Sequence, residues 1–197
     1  MAITTASSPT LAVRRTRRIV ARWMVSFAGF PLGGAAAIIL TGPVDSTASA
    51  IGGGLVTGVV LGAIQAWAMK ADRRLFAVWV LATAVGLAVG LAGGASLTGF
   101  STGLGDLVLQ GAASGLAVGL AQAIALLPRI GPIAVCWPIY VSGAWAAGWA
   151  VSTSIGIQVE EQFAIFGSTG ALVVTLLTSV LPVFLNRRAT AAQGSHS

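Results

Sequence analysis

Gln65 and Gln122 are the side chains in this sequence that most invite a chemical role. Each closes a run of small residues: Gly54, Thr57, Gly58, Gly62, Gln65 and Ala66 in one, and Gly111, Ser114, Gly115, Gly119, Gln122 and Ala123 in the other. Each residue of the first run stands 57 positions before its counterpart in the second, for example 111 − 54 = 57. At helical spacing the three glycines and the glutamine of each run fall within about 80° of one another. A strip of glycines lets a second helix approach until backbones touch, so the ordinary explanation is a packing seam, or glycine zipper. Gly86 and Gly90 mark a third strip of this kind. An amide in such a seam has two donors and a carbonyl acceptor to satisfy. It can bond across the seam, the two glutamines even to each other, or it can hold a polar substrate or line a water path. Thr57 and Ser114, beside the strips, can bond a carbonyl of their own helix or of a neighbour.

The aromatic residues offer a second chemistry. Trp145 and Trp149 are one turn apart, with Trp137 and Tyr140 shortly before them. Such a group could stack on a quinone, a pigment or another flat lipophile. The alternative is helix packing together with an interfacial belt, which would account for Trp67, Trp79 and Trp137 near the basic loops. Enzyme chemistry is not expected, since the sequence has no Ser/His/Asp set, no HExxH, no cysteine pair and no paired carboxylates within an apolar run. Neither a cofactor nor a metal site is expected: the single histidine, His196, lies in a short polar tail. The single cysteine, Cys136, reads as a packed apolar thiol. Asp106 reads as a helix N-cap, with Gln110 one turn on, and Glu160 and Glu161 read as a solvated turn.

These residues lie on elements that composition defines. Of 197 residues, 56% are hydrophobic and only 8% are charged, against roughly 25% charged in a soluble domain. Such a chain can cover a lipid-facing surface but not a water-facing one. Six runs reach the length of about 20 apolar residues that one helical crossing requires: residues 18–41, 48–69, 75–97, 106–127, 131–154 and 162–185. The expected fold is therefore an all-α integral membrane protein, six transmembrane helices in three tandem hairpins. The connecting loops are short, which leaves one membrane domain over residues 14–188, with unstructured tails at 1–13 and 189–197.

A net charge of +6 would suggest nucleic acid in a soluble protein. Here the basic residues fall only at the N-terminal arm (Arg14 to Arg22), in two alternate loops (Lys70, Arg73 and Arg74; Arg129) and after the last span (Arg187 and Arg188), while the intervening loops carry acids alone. That is the positive-inside pattern. It predicts both termini in the cytoplasm, the cytoplasmic membrane as the location, the lipid bilayer as partner and no nucleic acid. Ala48 to Ala50 resembles a signal-peptidase site, but the preceding apolar run is longer than a usual signal core, so the first helix is expected to be retained.

Within the spans, Trp23, Trp79 and Trp137 are 56 and 58 positions apart, each followed by spaced glycines. With the glutamine runs they define three hairpin repeats, at about 18–70, 71–128 and 129–188. The third is degraded: it keeps Thr169 and Gly170 but has Val174 and no glutamine. The pattern, best developed from Gln65-Ala66-Trp67 through Arg73 and Arg74 to Trp79, resembles a group of small bacterial polytopic membrane proteins with no established activity. The ten-to-one excess of arginine over lysine also fits a bacterial source of high GC content. Two functions follow as expectations. One is a structural or accessory scaffold whose seams dock its own hairpins or the helices of other membrane subunits. The alternative is a small permease, or a component that binds a lipophile or other small molecule.

Overall fold

A computed structural model of the chain describes residues 9–154 and 168–194. All regular structure among them is helical, in the order α1 (Pro9–Met24), α2 (Gly29–Thr41), α3 (Thr47–Ala68), α4 (Arg73–Leu97), α5 (Leu104–Ile130), α6 (Trp137–Ser154), α7 (Ser168–Thr178) and α8 (Val180–Gly194). Five stretches are long and apolar enough to cross a membrane: Ala12–Thr41, Thr47–Ala68, Arg73–Leu97, Leu104–Ser154 and Thr169–Ala191. The Glu160–Glu161 turn, the start of the sixth expected span and His196 lie outside the described residues. Helix also extends past both expected limits of the membrane domain. α1 starts at Pro9 and α8 ends at Gly194, because the arginine- and alanine-rich flanks are good helix formers that propagate an existing helix.

Proline accounts for three of the interruptions. It lacks an N–H and its ring crowds the carbonyl one turn back. Tight 3-10 turns at Val25–Ala28 and Gly131–Cys136 precede Pro31 and Pro138, and the interruption between α7 and α8 at Ser179 precedes Pro182. The 51-residue stretch from Leu104 to Ser154 turns back on itself at Gly131, whose φ of 66° glycine adopts without strain. α5 and α6 then run antiparallel, with Gly119 beside Pro138 and Gly115 beside Ser142. Serine and aspartate start the neighbouring helices. Ser46 and Ser49 form a reciprocal capping box on α3, and the Asp72 carboxylate accepts the Leu75 N–H at 2.8 Å on α4.

The glycine strips decide how the helices pack. A Cβ placed on Gly54 would lie 2.6 Å from the Ala88 Cα, and one on Gly58 would strike the Ala84 backbone. Gly86 and Gly90 meet Val118 and Ser114 in the same way, and Gly111, Gly115 and Gly119 meet α6. Each strip from α3 to α5 therefore faces the helix that follows it in the chain. Bulky side chains such as Ile39, Leu81, Ile124 and Ile139 point outward instead. Small residues inside and large aliphatics outside is the arrangement expected of helices that associate by close backbone contact within lipid. α7 packs on α6 and also touches α1, and α8 touches α1, so the row of helices closes on itself. Arg15 bonds Asn186 and Arg129 pairs with Asp72 at one end, the basic end. Asp45, Ser49, Ser101 and Asp106 gather at the other.

Candidate functional site

The two halves of the bundle treat their polar residues differently. In the basic half, Gln65 and Gln122 are buried and do not bond each other. Each glutamine carbonyl accepts an indole N–H from the next helix: Trp79 to Gln65 at 3.1 Å and Trp137 to Gln122 at 2.9 Å. The Gln122 amide also donates to the Thr83 hydroxyl at 3.0 Å, which itself donates to the Trp79 carbonyl at 2.8 Å. One chain of hydrogen bonds thus runs from α6 through α5 and α4 to α3. A third indole completes the layer. Trp23 on α1 donates to the Thr175 carbonyl at 3.0 Å and to the Thr178 hydroxyl at 3.2 Å on α7. That carbonyl, which also accepts from the Thr178 hydroxyl at 3.3 Å, lacks its usual backbone partner because Ser179 N–H turns to Leu176 at the break before Pro182. Only a void of about 10 Å³ remains among these side chains.

This layer corrects the aromatic belt expected from sequence. Trp79 is 0% exposed and Trp137 is buried, because the seam glutamines satisfy their indoles and let them turn inward. Trp67, 51% exposed, stays on the surface, with the Arg22 guanidinium 4.4 Å above its ring and bonded to its carbonyl. Thr83, Thr175 and Thr178 escaped the sequence reading. The signal for Thr178 was present, since it stands 178 − 122 = 56 positions after Gln122.

In the acidic half the helices part around a cavity of about 230 Å³. Phe30, Thr57, Gln110, Ser114, Trp145 and Trp149 line it, with the loop after α4 over its mouth. Thr57, Ser114, Trp145 and Trp149 are thereby brought together, whereas Gln65, Gln122 and Trp137 belong to the layer below. Trp145 borders both spaces and packs against Phe30 at 5.8 Å between ring centroids, forming the floor. Gly111 makes room for Trp149, whose indole occupies the place of the missing Cβ. Ser114 is only 2% exposed and its hydroxyl makes no hydrogen bond, against the expectation that it bonds a helix carbonyl. Its backbone is pressed against Gly90, which fixes the side chain at the cavity wall. No charged side chain lines the cavity among the described residues.

Local hydrogen bonds tie down the loop over the mouth. α4 ends in a Schellman motif, with the Phe100 N–H bonded to the Ala95 carbonyl and the Gly99 N–H to the Ser96 carbonyl. Both Gly99 and Phe100 have φ near +60°, a strained setting for a bulky residue. Ser101 donates to the Asp106 carboxylate at 2.5 Å and accepts the Gly103 N–H. Asp106 is therefore not the N-cap. Gly103 takes that place, and the carboxylate three residues on ties the loop down while facing the positive end of α5. Cys136 departs from expectation too: the 3-10 turn points its thiol outward, where it is exposed. No group of three or more metal-ligating side chains occurs among the described residues. Comparison with protein-family models, curated proteins and solved structures finds no match to this chain.

Proposed function

We propose that this chain is a six-span protein of the cytoplasmic membrane that binds a small neutral lipophile from the non-cytoplasmic side, without catalytic chemistry of its own. The observation that carries the reading is the cavity of the acidic half: apolar and aromatic walls, a few convergent polar groups, and a buried Ser114 hydroxyl with no protein partner. Binding sites for small molecules have this composition. A ligand's apolar body would displace water from Phe30, Trp145 and Trp149, and a small shift of the wall would bring its one hydrogen-bonding group to Ser114. The uncharged lining selects against ions. Six crossings require the stretch Leu104–Ser154 to cross twice, which the antiparallel contact of α5 and α6 supports. The basic end would face the cytoplasm by the positive-inside rule, leaving the cavity open to the opposite side. Recurrence of the tryptophan–glutamine bond, 57 positions on for the glutamine and 58 for the tryptophan, supports an internal repeat, and the packing of α2 on α3 supports retention of the first helix.

The scaffold reading draws on the glutamine layer, where indoles take both glutamine carbonyls. Its seams, however, are occupied by the chain's own helices, so a partner would have to dock on the outer aliphatic surface.

Calorimetric titration of the detergent-solubilised protein with 1-naphthol, a neutral aromatic alcohol, tests the proposal. Saturable binding is expected, weakened about tenfold when Leu91→Trp fills the cavity. Heat that never saturates, or an affinity indifferent to Leu91→Trp, would overturn it. A stoichiometric protein partner retained in mild detergent would favour the scaffold.

A further inference from the structure

A second concavity lies at the basic end, on the outer surface of the bundle. It is an open groove of about 520 Å³ between two irregular segments, the 3-10 turn Gly131–Cys136 and the break at Ser179. Its walls are apolar, with Ile130, Ile133, Tyr140, Val183 and Phe184, and Arg187 stands at its edge. Both breaks have a cause described above, the prolines at 138 and 182. Continuous helices would fill this space with side chains, whereas these two irregular segments leave it open. Tyr140 braces the gap by donating to the Leu177 carbonyl at 2.7 Å and stacking on Trp137 at 5.7 Å.

The charges at this end are not equivalent. Arg129 is engaged by Asp72 at 2.6 Å, and Arg188 lies over the Phe184 ring at 5.1 Å. Arg187 is exposed, has no acidic partner among the described residues, and borders the groove. An aliphatic trough with an uncompensated guanidinium at its edge matches a molecule that is a hydrocarbon chain at one end and an anion at the other. We propose that this groove seats one acyl chain of an anionic phospholipid, with the headgroup phosphate on Arg187. The guanidinium presents a planar fork of donors to phosphate oxygens, and juxtamembrane cations attract anionic lipid. This site is independent of the cavity in the acidic half and does not require that cavity to bind anything.

Cys136, the only cysteine in the chain, lines the groove and serves as its reporter. The experiment measures N-ethylmaleimide alkylation of Cys136 in detergent-solubilised protein with added phosphatidylglycerol, phosphatidylcholine of the same chains, or inorganic phosphate. Phosphatidylglycerol is expected to slow alkylation about fivefold more than phosphatidylcholine does, and phosphate alone to do nothing. Arg187→Gln, an exposed substitution, should erase the preference, and Arg188→Gln should keep it; circular dichroism checks that both variants fold. Equal protection by the two lipids, protection by phosphate alone, no protection, or a preference that survives Arg187→Gln would each overturn the proposal.

Discussion

The basic and acidic halves of the bundle are built from the same kinds of residue and reach opposite outcomes. Both place hydroxyls and amides beside glycine strips, and both line the centre with aromatic rings. In the basic half every glutamine carbonyl meets an indole, and the rings fill the space left between the helices. In the acidic half Ser114 meets nothing and the rings stand around a cavity. A buried polar group in lipid is therefore not informative by its type. What matters is whether the chain itself supplies the partner.

The sharpest way to break the comparison is to push the helices apart. Gly58→Val would place side-chain atoms in the Ala84 backbone, which cannot yield, and should cost about 3 kcal/mol or more. Both halves should then fail together, read as a loss of folded protein on size-exclusion chromatography and a lowered Tm. Next in size is Gln122→Leu, which strands the buried Trp137 N–H and should cost about 2 kcal/mol. Ser114→Ala removes a hydroxyl that bonds nothing, so its Tm should stay at or slightly above that of the parent. Equal losses for these two variants would erase the distinction between the halves.

A smaller effect compares the ends of two helices. α3 closes with the same Schellman pattern as α4, but with Lys70 at φ 57° where α4 has Gly99. Lys70→Gly relieves that conformation and should stabilise by about 1 kcal/mol, measured as a rise in Tm. Smallest is the acid response at the basic end. The Leu75 N–H and the Arg129 guanidinium hold the Asp72 carboxyl below its ordinary value of 3.8. Its contribution is complete above that value and is lost as pH falls through the lowered one. Because the carboxylate is exposed, the effect is slight. Asp72→Asn should flatten only the most acidic part of a Tm-against-pH curve.

The apolar stretches were legible in the sequence because each is bounded by charge or by glycine. Their observed ends fall close to the expected ones at Thr41, Ala68 and Leu97. The seams were legible as strips, but not which helix they meet. Sequence symmetry suggested hairpins bounded at 70/71 and 128/129. The tryptophan–glutamine bonds and two of the strips tie α3 to α4 and α5 to α6 across those boundaries, while Gly86 and Gly90 tie α4 to α5 within one repeat. Periodicity marks a face without naming its neighbour. The cavity was illegible for a related reason: it arises where residues of five helices and two loops fail to meet, and no local pattern encodes a failure to touch. Trp79 was misplaced because a tryptophan near a basic loop looks interfacial until its partner is known.

The bond from Trp23 to Thr175 spans 152 positions, and that from Arg15 to Asn186 spans 171. Chain made early is thus sealed by chain made late. While the chain lacks α7, the α1 indole has no acceptor and the row of helices stays open on one side. Only the emergence of α7 closes it. Truncation before residue 168 should therefore leave that flank open, read as a loss of folded protein on size-exclusion chromatography.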